Sequence, residues 1–271
     1  MPRAVAKAVS VSRPDQNDER PAHFVQSLER GFQILRAFDR EHPSMTVSEV
    51  ASRTGLTRGT AQRFLLTLVD LGYAEHDGKR FGLRPKVLDL GFAYLASNDV
   101  WDTVEPFVEE VVNELNESCT VGVLDWPDIV YVCRVQARRV VNAALSVGSR
   151  VPANASSLGR VLLAYLDPLV LDRYLLDTPL AARTRHTITN PRELRKALEE
   201  VRKNGWALGD QEYEEGVRSV SVPLRNRQGN VIAAMKVVAP TSRATKEEMI
   251  RRFLPVLRQA AERANEALRA R

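Results

Sequence analysis

Apolar positions in this chain recur first with a helical period, then with a strand-like one, then with a helical one again. From Phe24 to Phe38, the residues Val25, Leu28, Phe32, Leu35 and Phe38 form a helical stripe that predicts a first helix ended by His42-Pro43. Thr46 and Glu49 form a T-x-x-E capping box, which starts a helix at Val47 with Val50 and Ala51 inward. Gly55 stops it, since glycine takes the left-handed backbone of a tight helix exit. Thr57 caps the next helix by accepting from the amide of Gly59 or Thr60, and Ala61, Phe64, Leu65 and Leu68 make its apolar face. Tyr73–His76 and Lys79–Leu83 flank Asp77-Gly78, which reads as a hairpin with a two-residue turn. Pro85 opens a helix to about Ala96, with Val87, Leu88, Gly91, Phe92 and Leu95 on one side. Trp101 to Leu115 continues helically, with Val104, Phe107, Val108, Val111 and Leu115 inward.

The period changes at Cys119. Cys119–Leu124 and Ile129–Val135 are β-branched runs joined across Trp126-Pro127-Asp128, and Val140–Val147 reads as a third. A small polar loop, Pro152–Ser157, leads into a helix over Leu158–Leu166, followed by a shorter one over Leu169–Leu176. Asn190-Pro191-Arg192-Glu193 caps another helix that ends at Gly205. The loop Gly209–Ser219 runs into strands over Val217–Leu224 and Val231–Val238, and Thr245 and Glu248 cap a closing helix to about Leu268. The fold class is α+β: a winged helix-turn-helix head, then a mostly antiparallel sheet with helices on it.

Composition narrows the class. The 271 residues are 44% apolar and 27% charged with a net charge of +5, which suits a soluble protein of about two domains. Residues 1–22 lack periodicity and read as a disordered tail; neither a secretory leader nor a membrane span is expected, so the cytoplasm is the expected location. Cys119 and Cys133 lie inside strands and read as buried free thiols, not a zinc site or redox pair. No metal or cofactor is expected. The remaining boundaries are 23–84 for the head, 85–98 for a linker helix and 99–271 for the second domain.

Charge distribution says more than its sum. Between Glu49 and Asp70 there is no acid, but there are three arginines. Two short helices joined at a glycine, the second exposing Thr57, Arg58, Thr60, Gln62 and Arg63, form the helix-turn-helix pattern. Arginine forks match guanine, glutamine matches adenine, and threonine meets a thymine methyl or a phosphate. A hairpin follows at once with Lys79 and Arg80 at its tip, which makes the head a winged helix; Ser27, Arg30 and Thr46 are placed to meet the phosphate backbone. The alternative is a helical hairpin with a solvated face, docking another protein.

Three segments carry a family resemblance: the winged head, Gly148–Ala164 (GSRVPANASSLGRVLLA) and Asp210–Leu224 (DQEYEEGVRSVSVPL). Over about residues 24–268 the chain resembles the isocitrate lyase regulator (IclR) family of bacterial transcription factors. That resemblance implies a GAF-like second domain binding a small organic acid, a homodimer or tetramer on an operator, and RNA polymerase as a further partner if the protein activates. The tract DQEYEEGVRS is similar to the branch that regulates protocatechuate and β-ketoadipate breakdown. The family's small-residue loop matches at Ser156, Ser157, Leu158 and Gly159, and its acidic loop at Asp210, Glu212 and Gly216. Ser219 stands where many members carry cysteine, and Lys236 and Val238 stand where glyoxylate-type binders carry serines, which argues against glyoxylate or pyruvate as the ligand.

The residues themselves offer the same ligand chemistry. Arg134 and Lys236 can present charge to a carboxylate, or lie on the outer sheet face and meet acids or water. Asn154, Ser156, Ser157, Ser219 and Ser221 supply polar groups, and the helix beginning near Leu158 offers free backbone amides. Asp210 and Glu212 invite an acid–base reading, but His23, His42, His76 and His186 are scattered, and no P-loop, dinucleotide-binding or HExxH signature occurs. The expectation is a regulator, not an enzyme.

Overall fold

A computed structural model describes residues 21–98, 100–137 and 145–270. Residues 1–20 of the expected tail and residues 140–144 of the expected third strand lie outside the described residues. The chain divides into two compact units at Ala96/Ser97.

The first unit holds α1 (Gln26–Ala37), β1 (Ser44–Met45), α2 (Val47–Thr54), α3 (Arg58–Asp70), β2 (Ala74–His76) and β3 (Phe81–Leu83). A 3₁₀ turn (Pro85–Val87) then leads into α4 (Leu88–Ala96). Both halves of the Thr46/Glu49 capping box form, Gly55 takes φ +69°, and the Thr57 hydroxyl accepts from the Thr60 amide at 3.2 Å. The strands order β1-β3-β2, all antiparallel. Ile34, Met45, Val50, Ala61, Leu65 and Phe81 fill the core, the five larger side chains each adding about 1.5–3 kcal/mol if moved fully out of water.

Three expectations for this unit are corrected. The α1 stripe is wrong at its start: Ile34 and Ala37 face the core, while Val25, Leu28 and Phe32 are exposed within the unit. Those three follow helical spacing, but on the side turned away from α2 and α3. The hairpin turn falls one residue later than expected, because the Asp77 carboxylate captures the amides of Lys79 and Arg80 at 2.9 and 2.7 Å. Gly78 and Lys79 are therefore the central pair, with Gly78 at φ +96°. Finally, Pro85 opens a 3₁₀ turn, and the α-helix begins only at Leu88.

The second unit begins with α5 (Val100–Leu115), β4 (Cys119–Asp125), β5 (Asp128–Val135), β6 (Arg150–Pro152) and α6 (Ser157–Ala164). It continues through α7 (Pro168–Asp177), α8 (Pro191–Asn204), β7 (Ala207–Asp210), β8 (Val217–Arg225) and β9 (Val231–Pro240). It closes with α9 (Lys246–Glu248), a π turn (Met249–Phe253) and α10 (Leu254–Arg269). The sheet orders β6-β5-β4-β9-β8-β7 with every pair antiparallel. Helices α5 and α10 pack together on one face, and α6 with α8 behind it covers the other. Leu145 to Val147 are not strand; the third strand sits at Arg150–Pro152, paired to β5.

A close approach fixes α6. A Cβ built at Gly159 would fall on the Ala153 backbone, so only glycine lets the helix sit against the Pro152–Ser156 loop. A second close approach, at Gly122 in β4, coincides with a register shift between Val121 and Gly122. There Thr120 faces Arg134, Val121 faces Cys133 and Gly122 faces Tyr131, leaving Val132 as the extra residue of a β-bulge. The bulge turns Tyr131 to the same face as Arg134, which strict alternation would forbid.

Candidate functional site

The head presents one polar surface. Arg58 and Gln62 stand one turn apart at the start of α3, with Arg63 beside them, and all three are exposed. The Thr57 hydroxyl also donates to the Thr60 hydroxyl at 2.9 Å, so these two threonines are tied to each other at the helix start. Ser27 is exposed and Arg30 half-buried on α1. The Thr46 hydroxyl serves the capping box, accepting from the Glu49 amide at 3.3 Å. Lys79 is exposed at the wing tip, but Arg80 folds back. Its Nε donates to Ser44 Oγ at 3.1 Å, its Nη2 to the Ser44 carbonyl at 2.7 Å, and it pairs with Glu49 at 3.1 Å. Arg80 thereby straps the wing to β1 and α2.

In the second unit a cavity of about 490 Å³ opens between the sheet, the start of α6 and the Gln211–Gly216 loop. Sheet register explains its polar floor. Arg134, Thr120, Lys236 and Ser221 are successive cross-strand partners on β5, β4, β9 and β8, so they share one face. Lys236, 9% exposed, donates from Nζ to Tyr131 Oη at 2.7 Å. Arg134 donates from Nη1 to Thr120 Oγ1 at 2.9 Å, and burial lowers its pKa. Two buried polar atoms on this wall have no partner: Arg134 Nε and Ser156 Oγ. A buried group left without a partner carries a penalty of about 1–3 kcal/mol, which a bound ligand or water would remove.

Of the expected ligand residues, Arg134, Ser156, Glu212, Ser219 and Lys236 line the cavity; Asn154, Ser157, Leu158, Asp210 and Ser221 stand behind it. Ser157 Oγ lies 2.8 Å from Ser219 Oγ and 2.7 Å from Ser221 Oγ, a hydroxyl chain joining α6 to β8. Asn154 donates to the Ile188 carbonyl. Leu158 is core. Burial alone would raise Asp210, but hydrogen bonds from Lys246 at 2.8 Å and Arg218 at 2.7 Å hold its carboxyl below the usual range. Glu212 meets Arg160 Nη1 at 2.7 Å through both carboxylate oxygens, both side chains being buried. The acid pair is thus committed to cations.

Tyr131, Glu117, Ser118 and Arg183 also line the cavity, as does Tyr213, whose ring lies 5.2 Å below the Arg183 guanidinium. Glu117, 4% exposed, pairs with Arg243 at 2.9 Å, and burial raises its pKa against that pairing. Cys119 and Cys133 are buried free thiols; burial first, and for Cys133 the acids on α5 next, hold both protonated, Cys133 being pushed up to about 12. Among the described residues no His, Cys, Asp or Glu group is arranged to hold a metal ion. Among them, too, no helix is long and apolar enough to cross a membrane.

A winged helix-turn-helix in one unit and a polar cavity in the other define a two-part transcription regulator. The comparisons agree. The bacterial transcriptional regulator IclR C-terminal family matches residues 92–265, and the IclR helix-turn-helix domain matches residues 27–78. The chain belongs to the IclR family of transcription regulators. It is similar to the Pca regulon regulatory protein of Pseudomonas putida, at 38% identity over 88% of this chain and 82% of that protein. It is also similar to the p-hydroxybenzoate hydroxylase transcriptional activator of Acinetobacter baylyi, at 32% identity over 93% of this chain and 95% of that protein. Among solved structures, a transcriptional regulator from Rhodococcus sp. RHA1 superposes with a TM-score of 0.82 at 41% identity, covering 91% of this chain and 99% of that one. An IclR homolog from Microbacterium hydrocarbonoxydans, solved with 4-hydroxybenzoate, gives 0.78 at 27% identity, covering 90% of this chain and 100% of that one.

Proposed function

We propose that this protein controls an operon for breaking down aromatic acids, and that an organic acid of that pathway binds the cavity and changes its hold on operator DNA. The observation that carries the reading is the pair of unpartnered buried atoms, Arg134 Nε and Ser156 Oγ, in a cavity that also holds Lys236. A carboxylate answers both demands: it accepts from the guanidinium and from the hydroxyl. The p-hydroxybenzoate and 4-hydroxybenzoate in two relatives' names, with the resemblance of the DQEYEEGVRS tract to the protocatechuate and β-ketoadipate branch, favour those acids over glyoxylate. The bonds from Asp210 and Glu212 to Arg218, Lys246 and Arg160 support binding over acid–base catalysis.

In this reading residues 23–84 read DNA, 85–98 link and 99–271 sense, in a cytoplasmic homodimer or tetramer. Exposed Val25 at the N-cap of α1, Leu28 and Phe32 on α1, and Leu88, Leu90 and Phe92 on α4 support self-association, as does the habit of helix-turn-helix proteins of reading two half-sites. Arg58 and Gln62 enter the major groove and Lys79 meets phosphate; RNA polymerase joins only if the protein activates. The acid acts by binding one resting state of the protein better than another.

The test is calorimetric titration of the full chain with the three acids and glyoxylate, alongside fluorescence anisotropy on its own promoter-region DNA. Binding of an aromatic-pathway acid that shifts the DNA affinity is expected. Binding of glyoxylate alone, or of none, overturns the ligand assignment, and DNA affinity indifferent to salt overturns the groove assignment.

A further inference from the structure

The cavity has two chemically different ends. One holds the cations at the level of Thr120: Arg134 and Lys236, its cross-strand partners. The other lies past the start of β4, where the Val238 amide donates to the Ser118 carbonyl and Glu117 enters the wall. Glu117 lies three positions before Thr120, in the bend that leads into β4, and so stands off from the two cations along the wall. That separation suits one aromatic ring with a polar group at each end.

Glu117 is otherwise hard to account for. It is buried, and the one side-chain bond the structure gives it comes from Arg243 Nη2 to Oε2. The other acid buried in the wall, Glu212, is satisfied by Arg160 through both oxygens. A buried carboxylate facing a cavity is a strong acceptor, and it asks for a hydroxyl proton from whatever fills that cavity.

We infer that Glu117 is a specificity-determining residue: it accepts a hydrogen bond from a ligand hydroxyl set opposite the carboxylate, so the preferred ligand is a phenolic acid and not a dicarboxylic one. The inference rests on the carboxylate-binding reading of the cavity. A second carboxylate at this end would meet a like charge, and an unsubstituted ring would leave Glu117 desolvated with Arg243 as its one side-chain donor. Sites built around a buried hydrogen bond reject the analogue that lacks the hydroxyl far more strongly than apolar pockets reject a missing methylene.

The experiment is calorimetric titration of the full chain, wild type and Glu117→Gln, with benzoate, 4-hydroxybenzoate, protocatechuate and adipate. The wild type is expected to bind a hydroxylated benzoate at least about tenfold more tightly than benzoate or adipate. In Glu117→Gln, whose amide oxygen is an uncharged and weaker acceptor, that ratio narrows severalfold. Glu117→Asp, which keeps the charge beside Arg243 but withdraws it by one methylene, is expected to narrow the ratio as well, and serves if the glutamine variant fails to fold. If a hydroxylated acid is preferred in the wild type but the ratio survives both variants, the role of Glu117 is overturned while the carboxylate site stands. A wild type that binds benzoate or adipate as tightly as the phenolic acids overturns that role too. If none of the four acids binds, the carboxylate reading falls and this one falls with it.

Discussion

Arg160 and Glu212 form a buried ion pair in which one guanidinium nitrogen lies 2.7 Å from both carboxylate oxygens. Arg160 stands in the first turns of α6 and Glu212 in the loop after β7, and the same guanidinium donates to the Leu208 carbonyl. On the other side, the Thr187 hydroxyl donates to the Glu212 carbonyl at 2.6 Å and the Thr184 hydroxyl to the Gln211 carbonyl at 2.7 Å. The loop that walls the cavity is therefore pinned from below by a charge and from the side by two hydroxyls. Removing one member of such a pair strands the other. Arg160→Met is expected to destabilise the protein by about 3–5 kcal/mol, and Arg160→Met with Glu212→Leu by clearly less. Urea denaturation of the two variants checks this; equal losses would mean that packing of the arginine stem, not its charge, holds the loop.

Arg80 and Lys79 are neighbours in sequence with opposite fates. Arg80 is spent on Ser44 and Glu49, whereas Lys79 is exposed at the tip. Arg80→Ala is expected to lower stability by about 1–2 kcal/mol, as lost hydrogen bonds from a charged, partly exposed group do. Lys79→Ala is expected to leave melting unchanged, weaken all duplex DNA alike and reduce the salt slope by about one. Anisotropy across a salt series reads both. A Lys79 variant with an unaltered slope would remove the wing from the DNA.

Arg58 tests the other half of the head. As the first residue of α3, exposed and one turn from Gln62, it is set to reach a base edge. Arg58→Ala is expected to lose about 1–3 kcal/mol of discrimination at one base pair while keeping nonspecific affinity. Competition between operator and single-base variants measures it, and unchanged operator preference would place another residue in the groove.

The head was more legible in the sequence than the cavity because its signals are local. The Thr46/Glu49 box, the Gly55 exit and the Thr57 cap each act within four residues, and all three form as read. Strand β7, Ala207–Asp210, passed unnoticed because Ala-Leu-Gly-Asp has no β-branched residue; β8 recruits it as an edge. The π turn at Met249–Phe253 hid inside a continuous helical pattern, although Pro255 just beyond it, lacking an amide proton, was a cue. Of the cavity wall, Arg134, Lys236, Ser156, Ser219 and Glu212 were reached from sequence, whereas Tyr131, Glu117 and the Arg160 that anchors Glu212 from behind were not. Their partners lie 105, 126 and 52 residues away, so no window of sequence contains the pair. Tyr131 was further disguised by the bulge at Gly122. That glycine carries the clue only in three dimensions, since a Cβ there would lie 2.6 Å from Ile129 Cγ2.

Asp210 and Glu117 predict opposite responses to pH. Asp210 is held below its ordinary value of 3.8, because the hydrogen bonds from Lys246 and Arg218 outweigh burial. Its contribution is fully present above 3.8 and is lost as pH falls through the lower folded value. Asp210→Asn is therefore expected to be less stable at neutral pH and to show a shallower loss in acid. Thermal melts across the acid range decide this, and parallel wild-type and variant curves would mean that Asp210 is not coupled to folding.

For Glu117 the sign reverses. Burial lifts its carboxyl above the ordinary 4.5 despite Arg243, so the folded state holds a proton that the unfolded chain releases first. Stability attached to Glu117 is complete below 4.5 and declines as pH rises through the raised folded value. Replacing it with glutamine removes that decline. Arg243, 38% exposed, keeps its hydration when the partner charge is gone, so it does not become a stranded buried cation. Glu117→Gln is therefore expected to melt above the wild type at neutral pH and to converge with it in acid, both without ligand. A lower melting temperature at neutral pH would show that the Arg243 pairing outweighs burial, and Glu117 would then be a structural anchor before it is anything else.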